Sequence, residues 1–377
     1  MKMFPTKKSE ILEKFINFSE KELSDYSKKR NFDFGPPHKN VSQLSPYLRT
    51  RFITEEEVLK IAISKNNLKT IEKFIEEIFW RTYWRGWLES HPWVYDEYIK
   101  ASNYQQLPRK TGIKCFDDWK EELIETGYLH NHSRMWFASI WIFTLGFSWQ
   151  SGAEFFKRNL LDFCPASNTL GWRWVAGLQT INKPYLAMSD NINYFTNGRF
   201  NPIGQLNENA NRNYIEQNSG HALPFVRPKK IEFRNFDNLG IILNRNDLSL
   251  NYIFENMEMT YECCVYSTEH ENKLVNEFNN NILQDIIKSN KSFEIIANFD
   301  QIFDWLSNKK IKNLILPYET VGNKIFNVEN FKNKLKQLNI QYCFFLRDWD
   351  SNAFPHATKG FFKFKKNIPN LINLVNI

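Results

Sequence analysis

Two stretches in the first half of the chain hold the side chains best suited to chemistry. One reads Asp162-Phe-Cys164-Pro-Ala-Ser-Asn168-Thr-Leu-Gly-Trp172-Arg-Trp174, where an Asn-x-x-Gly-Trp-x-Trp spacing sets two indoles two residues apart beside polar groups. The other reads Thr126-Gly127-Tyr-Leu-His130-Asn131-His132-Ser-Arg134-Met135. Asn131 and Met135 are four apart and so share a helix face. Taken alone, paired indoles read first as core. His130-x-His132 suggests a metal, but no carboxylate or cysteine accompanies it at ligand spacing, so no metal site is expected. No Ser/His/Asp nucleophile arrangement is present.

The elements that must position these residues are helices. Ile71, Phe74, Ile75, Ile78 and Phe79 recur at helical spacing and cluster on one face. Glu77, Trp80, Trp84 and Trp87 cluster on another, about 150° away. A helix with two large nonpolar faces is buried on both sides or presents one to a ligand. A second helix is expected over Phe116–Thr126, closed by Gly127, and a third from Asn131 to Trp149. The apolar run Met135–Trp149 is too short for a membrane span, which needs about 20 residues. Trp84, Trp87, Trp136 and Trp141 read most simply as core. Glu55-Glu56-Glu57 reads as a solvated helix start. Arg49 and Arg51 fit phosphate contacts or a solvated surface equally well.

The second half alternates strands and helices. Short buried strands are expected at Leu239–Leu243, Glu262–Tyr266, Phe293–Ala297, Lys312–Pro317 and Gln341–Leu346. Helices are expected near Glu269–Lys288, Phe299–Ser307 and Val328–Leu338. That alternation implies a parallel α/β sheet. It contains no GxGxxG and no Walker A loop, so it declares no nucleotide site.

Composition separates the halves. The chain has 377 residues, with 49 Lys/Arg against 42 Asp/Glu, a net charge of +7. Residues 1–230 hold 32 basic and 25 acidic residues; residues 231–377 hold 17 of each. Ten of the 12 Trp precede residue 180, and only Trp305 and Trp349 follow. The expected division is a helical domain over 1–212, a linker over 213–237 and an α/β domain over 238–377. Hydrophobic content of 42% excludes a disordered chain. The five Cys form no CxxC pair, and no apolar segment follows the N-terminal Met-Lys. A reduced, cytoplasmic protein without a signal peptide is the expectation.

Read in order, Leu44-Ser45-Pro-Tyr, Glu77-x-x-Trp80-Arg81, Thr111-Gly112, His130-Asn131-x-x-Arg134-Met135 and Asn168-x-x-Gly-Trp172-x-Trp174 resemble the FAD-binding helical domain of the DNA photolyase/cryptochrome family. The resemblance covers roughly residues 20–205. It implies an all-helical FAD-binding domain followed by a smaller Rossmann-like α/β domain. The family's α/β domain normally comes first, so the order here looks reversed. Asn246-Asp247-Leu-Ser-Leu resembles the turn that opens that domain, and Gly360-Phe-Phe-Lys-Phe-Lys the stretch that closes it. Such a domain can hold an antenna pigment, whose presence here is unknown.

The resemblance also implies roles. Tyr26, Arg30, Ser42, Gln43, Leu44 and Ser45 match FAD-holding positions, the serines near its phosphates. Trp80, Arg81 and Cys164 fall at further FAD-binding positions. Arg134 and Asp162 match an ion pair flanking the isoalloxazine, and Asn168 faces flavin N5. Glu77, Trp80, Asn131, Met135 and Trp174 match residues that contact a flipped-out pyrimidine dimer, and His132 falls at a DNA-binding position. Glu77, near-neutral by burial, would hydrogen-bond the dimer. Trp172 and Trp149 match the inner members of an electron-feeding chain. The (6-4) branch carries His where this chain has Asn131.

Departures are visible. Cys164 replaces an Asp, Val41 a phosphate-side Thr, and His132 an Arg that touches DNA in many relatives. Residues 94–118 offer no Trp for the outer member of the electron path, leaving Trp93, Tyr95, Tyr98 or Tyr104 to stand in. The function implied is light-driven repair of cyclobutane pyrimidine dimers in single- or double-stranded DNA by a monomer, with the +7 as a phosphate footprint. The alternatives are a cryptochrome-like blue-light receptor that binds FAD without repair, and a photolyase-like redox or nucleic-acid-binding protein.

Overall fold

The computed structural model describes residues 4–103, 105, 107–180, 183–210, 220–228, 237–256 and 258–374. Its first part is helical and its second a five-stranded α/β unit. The expected linker falls mostly outside the described residues. Its described piece runs along the helical part: the Leu223 amide donates to the Ser90 carbonyl at 2.8 Å, and Phe225 packs edge-on against Phe354.

The longest helix, Leu68–Ser90, starts where the Asn67 side chain accepts from the Lys69 amide. It buries Ile71, Phe74, Ile75, Ile78 and Phe79, the face read from the sequence. Lys114–Thr126 ends at Gly127, whose φ of 70° stops it. The helix expected from Asn131 to Trp149 is broken. Asn131–Ser139 runs into a π-helical turn, Ile140–Thr144, and Gly146 then takes a φ of 76°. Ser148 caps a new helix, Trp149–Asn159, by accepting from the Ser151 amide. An apolar run carries no mark of such a break except its glycine and serines. No described helix is long and apolar enough to cross a membrane.

The sheet is wholly parallel, in the order β3-β2-β1-β4-β5, from β1 (Leu239–Leu243), β2 (Glu262–Tyr266), β3 (Glu294–Ile296), β4 (Asn313–Pro317) and β5 (Gln341–Phe345). Each strand lies within the segment expected for it. The helices Lys273–Ser289, Phe299–Asn308 and Glu329–Gln337 cross between strands, as the alternation requires. Central β1 is buried throughout, whereas the edge strands β3 and β5 are not, a correction to the expectation of five buried strands.

After β5 the chain returns to the helical part as Asp348–Ala353, Phe361–Lys365 and Ile368–Leu374. The Trp349 indole lies on Phe79, centroids 4.6 Å apart, and donates to Thr82 Oγ1 at 2.8 Å. Gly86 lets this segment close in, since a Cβ there would meet Phe354 at 2.9 Å. Buried charges cross the same seam. Asp350 accepts from Arg51 Nη2 at 2.7 Å and from Arg85 Nη1 at 3.2 Å. Arg51 Nε also donates to Glu55 at 3.2 Å, and Arg347 pairs with Asp247.

These contacts correct three expectations. Glu55 is fully buried, not solvated; burial alone would raise its pKa, but Arg51, Arg81 and Arg85 bring it down to about 2. Arg51 is locked in the seam. Arg49 donates to the Phe163 and Arg245 carbonyls and to Asn323 Oδ1, reaching the loops beyond β1 and β4. These are the loops at the sheet's topological switch point, where ligands of such sheets bind.

Candidate cofactor and substrate site

Side chains from both parts of the chain line a cavity of about 580 Å³. The Leu68–Ser90 helix supplies Lys73, Glu77, Trp80, Arg81 and Trp84. Asn131, Arg134, Met135 and Ala138 come from Asn131–Ser139, and Ser167, Asn168, Gly171, Trp172 and Trp174 from Pro165–Val175. A smaller cavity of about 120 Å³ is lined by Tyr26, Arg30, Val41, Ser42, Gln43, Leu44, Ser45 and Tyr128. Arg30, Glu77 and Asn131 line both, so the two adjoin.

The larger cavity also carries polar groups. Arg134 grips Asp162 with two parallel bonds, 3.0 and 2.8 Å, and its Nε donates to the Leu129 carbonyl. The fork fixes both groups in one plane. Asn168 donates from Nδ2 to the Ala153 carbonyl at 2.9 Å, which orients its amide. Cys164 precedes the Pro165–Val175 helix. Burial alone would raise its thiol pKa, but the Arg81 and Arg49 guanidiniums bring it below the ordinary value.

The indoles at the mouth are each backed by another ring. Trp80 stacks on Phe361 at 3.7 Å and 12°; Trp174 stacks on Tyr185 at 5.3 Å and 27°. Both indoles line the cavity. Glu77 is not surrounded by apolar groups as its expected neutrality required: Arg30 Nη2 lies 2.7 Å and Lys73 Nζ 3.3 Å from its carboxylate.

His132, expected at a DNA-binding position, lies in the interior instead of at the surface. It is buried, stacks on Trp136 at 4.0 Å, and is bonded to the Asn31 carbonyl and Tyr185 hydroxyl. Trp84 packs against the core as expected and also lines the cavity; its place one helical turn after Trp80 was the available signal. Phe362 also lines the cavity, and no motif in the sequence marked it.

Trp172 lies over Gly152, where a Cβ would come within 2.2 Å of the ring. Trp149 sits one turn earlier on that helix and is buried outside the cavity lining. Its next ring is Tyr98, 5.5 Å away and 28° from parallel, followed by Tyr95 at 5.6 Å from Tyr98. Trp93 turns to His91. Tyr104 lies outside the described residues.

Three buried donors on residues that line these cavities, Arg81 Nε, Trp172 Nε1 and Gln43 Nε2, have no hydrogen-bond partner in the protein. An orphaned buried donor costs about 1–3 kcal/mol unless a ligand satisfies it. A flat, acceptor-rich cofactor continuing into a polar tail fits the adjoining cavities and these donors.

Residues 74–217 match the model of the FAD binding domain of DNA photolyase. The chain is 29% identical over 219 residues to the deoxyribodipyrimidine photo-lyase of Alkalihalophilus pseudofirmus, covering 53% of this chain and 43% of that protein. It is 26% identical to that of Escherichia coli, covering 48% and 42%. It thus spans less than half the length of the curated relatives it matches. Among solved structures, a class III photolyase from Agrobacterium tumefaciens aligns with a TM-score of 0.42 at 25% identity, over 51% of this chain and 43% of that one. A Synechocystis cryptochrome aligns with 0.40 at 23%, over 51% and 44%. The segment that supplies most of the cavity-lining helices is thus similar to the FAD-binding domain of DNA photolyases.

Proposed function

We propose that this protein binds FAD and repairs cyclobutane pyrimidine dimers in DNA by blue-light-driven electron transfer. The observation that carries the reading is the convergence, on one cavity, of two ring-backed indoles with Asn131, Met135 and the Arg134–Asp162 pair. When bound, reduced FAD supplies the light-excited electron donor.

The chain's own residues supply position and charge. Tyr26, Arg30, Ser42, Gln43, Leu44 and Ser45 hold the polar tail in the smaller cavity; Arg81, Arg134, Asp162, Cys164 and Asn168 hold the ring system. Trp80 and Trp174 stack the extruded pyrimidines, a contact worth about 1–3 kcal/mol per base. A dimer pairs poorly in the duplex, so extruding it costs less than extruding a paired base. Asn131 is exposed at the junction of the cavities, where its amide can meet the pyrimidine carbonyls. Glu77, held by Arg30, links the cofactor side to the substrate side. Trp172, Trp149 and Tyr98 form the reducing path. The α/β unit is read as the counterpart of the antenna-type domain, in reversed order.

The test is repair of a thymine-dimer oligonucleotide by flavin-loaded protein under blue light. Bound flavin with intact dimers would favour the receptor reading over this one.

A further inference from the structure

We propose that Phe362 is a wedge that fills the space left in a DNA duplex when the dimer is extruded into the cavity, an inference that rests on the repair reading above. Its ring is 84% exposed, the largest exposure among the large hydrophobic residues described, yet it lines the cavity. Isolated exposed apolar residues are ordinary. What distinguishes this one is its mounting. In Phe361–Lys365, Phe361 and Phe364 turn inward, one stacked on Trp80, the other packed on Phe79 and Tyr83. Both are buried, so the short helix is pinned on either side of Phe362 and aims the ring outward at the cavity rim.

The segment that carries the ring is basic, and of its lysines Lys365 is taken up by Glu72 and Glu76 of the Leu68–Ser90 helix. Lys359, Lys363 and Lys366 are all exposed, with no acidic residue between positions 359 and 377. Lysines flanking an exposed apolar ring suit a duplex: the cations take phosphates while the ring enters the base stack. Extrusion of two linked pyrimidines leaves a gap beside their partner strand, and an apolar ring held rigidly at the pocket mouth can fill it. A single strand has no such gap. The C-terminal segment would therefore make the site one for double-stranded DNA, and residues 74–217 alone would lack this contact.

The test uses FAD-loaded protein in the dark, with a duplex carrying one thymine dimer and the same damaged strand alone. Phe362→Ala is expected to weaken duplex binding by about 5- to 100-fold, the factor for losing one ring-on-base contact. Binding to the single strand and flavin content should stay at wild-type levels, and Phe362→Trp should restore duplex binding. An equal loss on both substrates, or no loss on the duplex, would overturn the wedge and leave the repair reading standing. Wild-type protein that does not distinguish damaged from undamaged DNA in either form would overturn the repair reading, and the wedge with it.

Discussion

The ring of Phe361 lies 12° from parallel with the indole of Trp80, their centroids 3.7 Å apart, so a residue of the C-terminal segment fixes a side chain of the helical cavity. The Trp80 indole is thus set by the packing between the two parts of the chain. Truncating buried Phe361 to Ala should cost about 3–5 kcal/mol, read by chemical denaturation. Phe361→Leu should fold nearly as well, since volume-conserving swaps cost less than about 1.5 kcal/mol. It should nevertheless bind dimer-containing DNA more weakly than wild type at equal flavin content.

Asp350 is fully buried between Arg51 and Arg85. Removing one partner of a buried pair leaves an uncompensated charge, typically a loss of about 3–5 kcal/mol. Asp350→Ala should therefore lower the Tm steeply. Replacing Asp350 and Arg51 together should cost less than the sum of the single changes, by a double-mutant cycle.

Arg134 and Asp162 should be required for flavin retention. Asp162→Asn removes the charge that matches the Arg134 fork but keeps the shape. It should lower the ratio of flavin absorbance to protein after purification, while far-UV circular dichroism stays unchanged.

Acid should destabilise the protein, from two depressed groups. Burial brings the His130 pKa down to about 3, so the folded imidazole stays neutral below the usual 6.5, where the unfolded one takes a proton. Glu55 is held near 2, below its ordinary 4.5. Each group then favours the unfolded state as pH falls, His130 from about 6.5 to 3 and Glu55 from about 4.5 to 2. Each contributes a slope of about 1.4 kcal/mol per pH unit within its window. A stability-against-pH curve flat between 6.5 and 4.5 would contradict the His130 contribution.

How much of this was legible in the sequence follows from what each signal reports. Strand–helix alternation reports burial, so the five strands lie where expected; it says nothing of edges, and β3 and β5 are only partly buried. Local motifs report which residues share a helix face, and Glu77, Trp80, Asn131, Met135, Asn168 and Trp174 do meet. They do not report what lies across the chain. Glu77's partner Arg30 is 47 residues upstream, and Phe361 follows Trp80 by 281. The burial of His132 was not legible in its motif, because the rings of Trp136 and Phe195 that cover it lie outside that motif.

The central claim is tested most directly by illuminating FAD-loaded, reduced protein with a thymine-dimer duplex and following the recovery of absorbance near 260 nm as the pyrimidines regain their double bonds. The account predicts recovery in blue light, none in the dark, and strongly reduced recovery for Trp80→Ala or Trp174→Ala at unchanged flavin content. Unrepaired dimers in illuminated protein with a full complement of reduced flavin would contradict it.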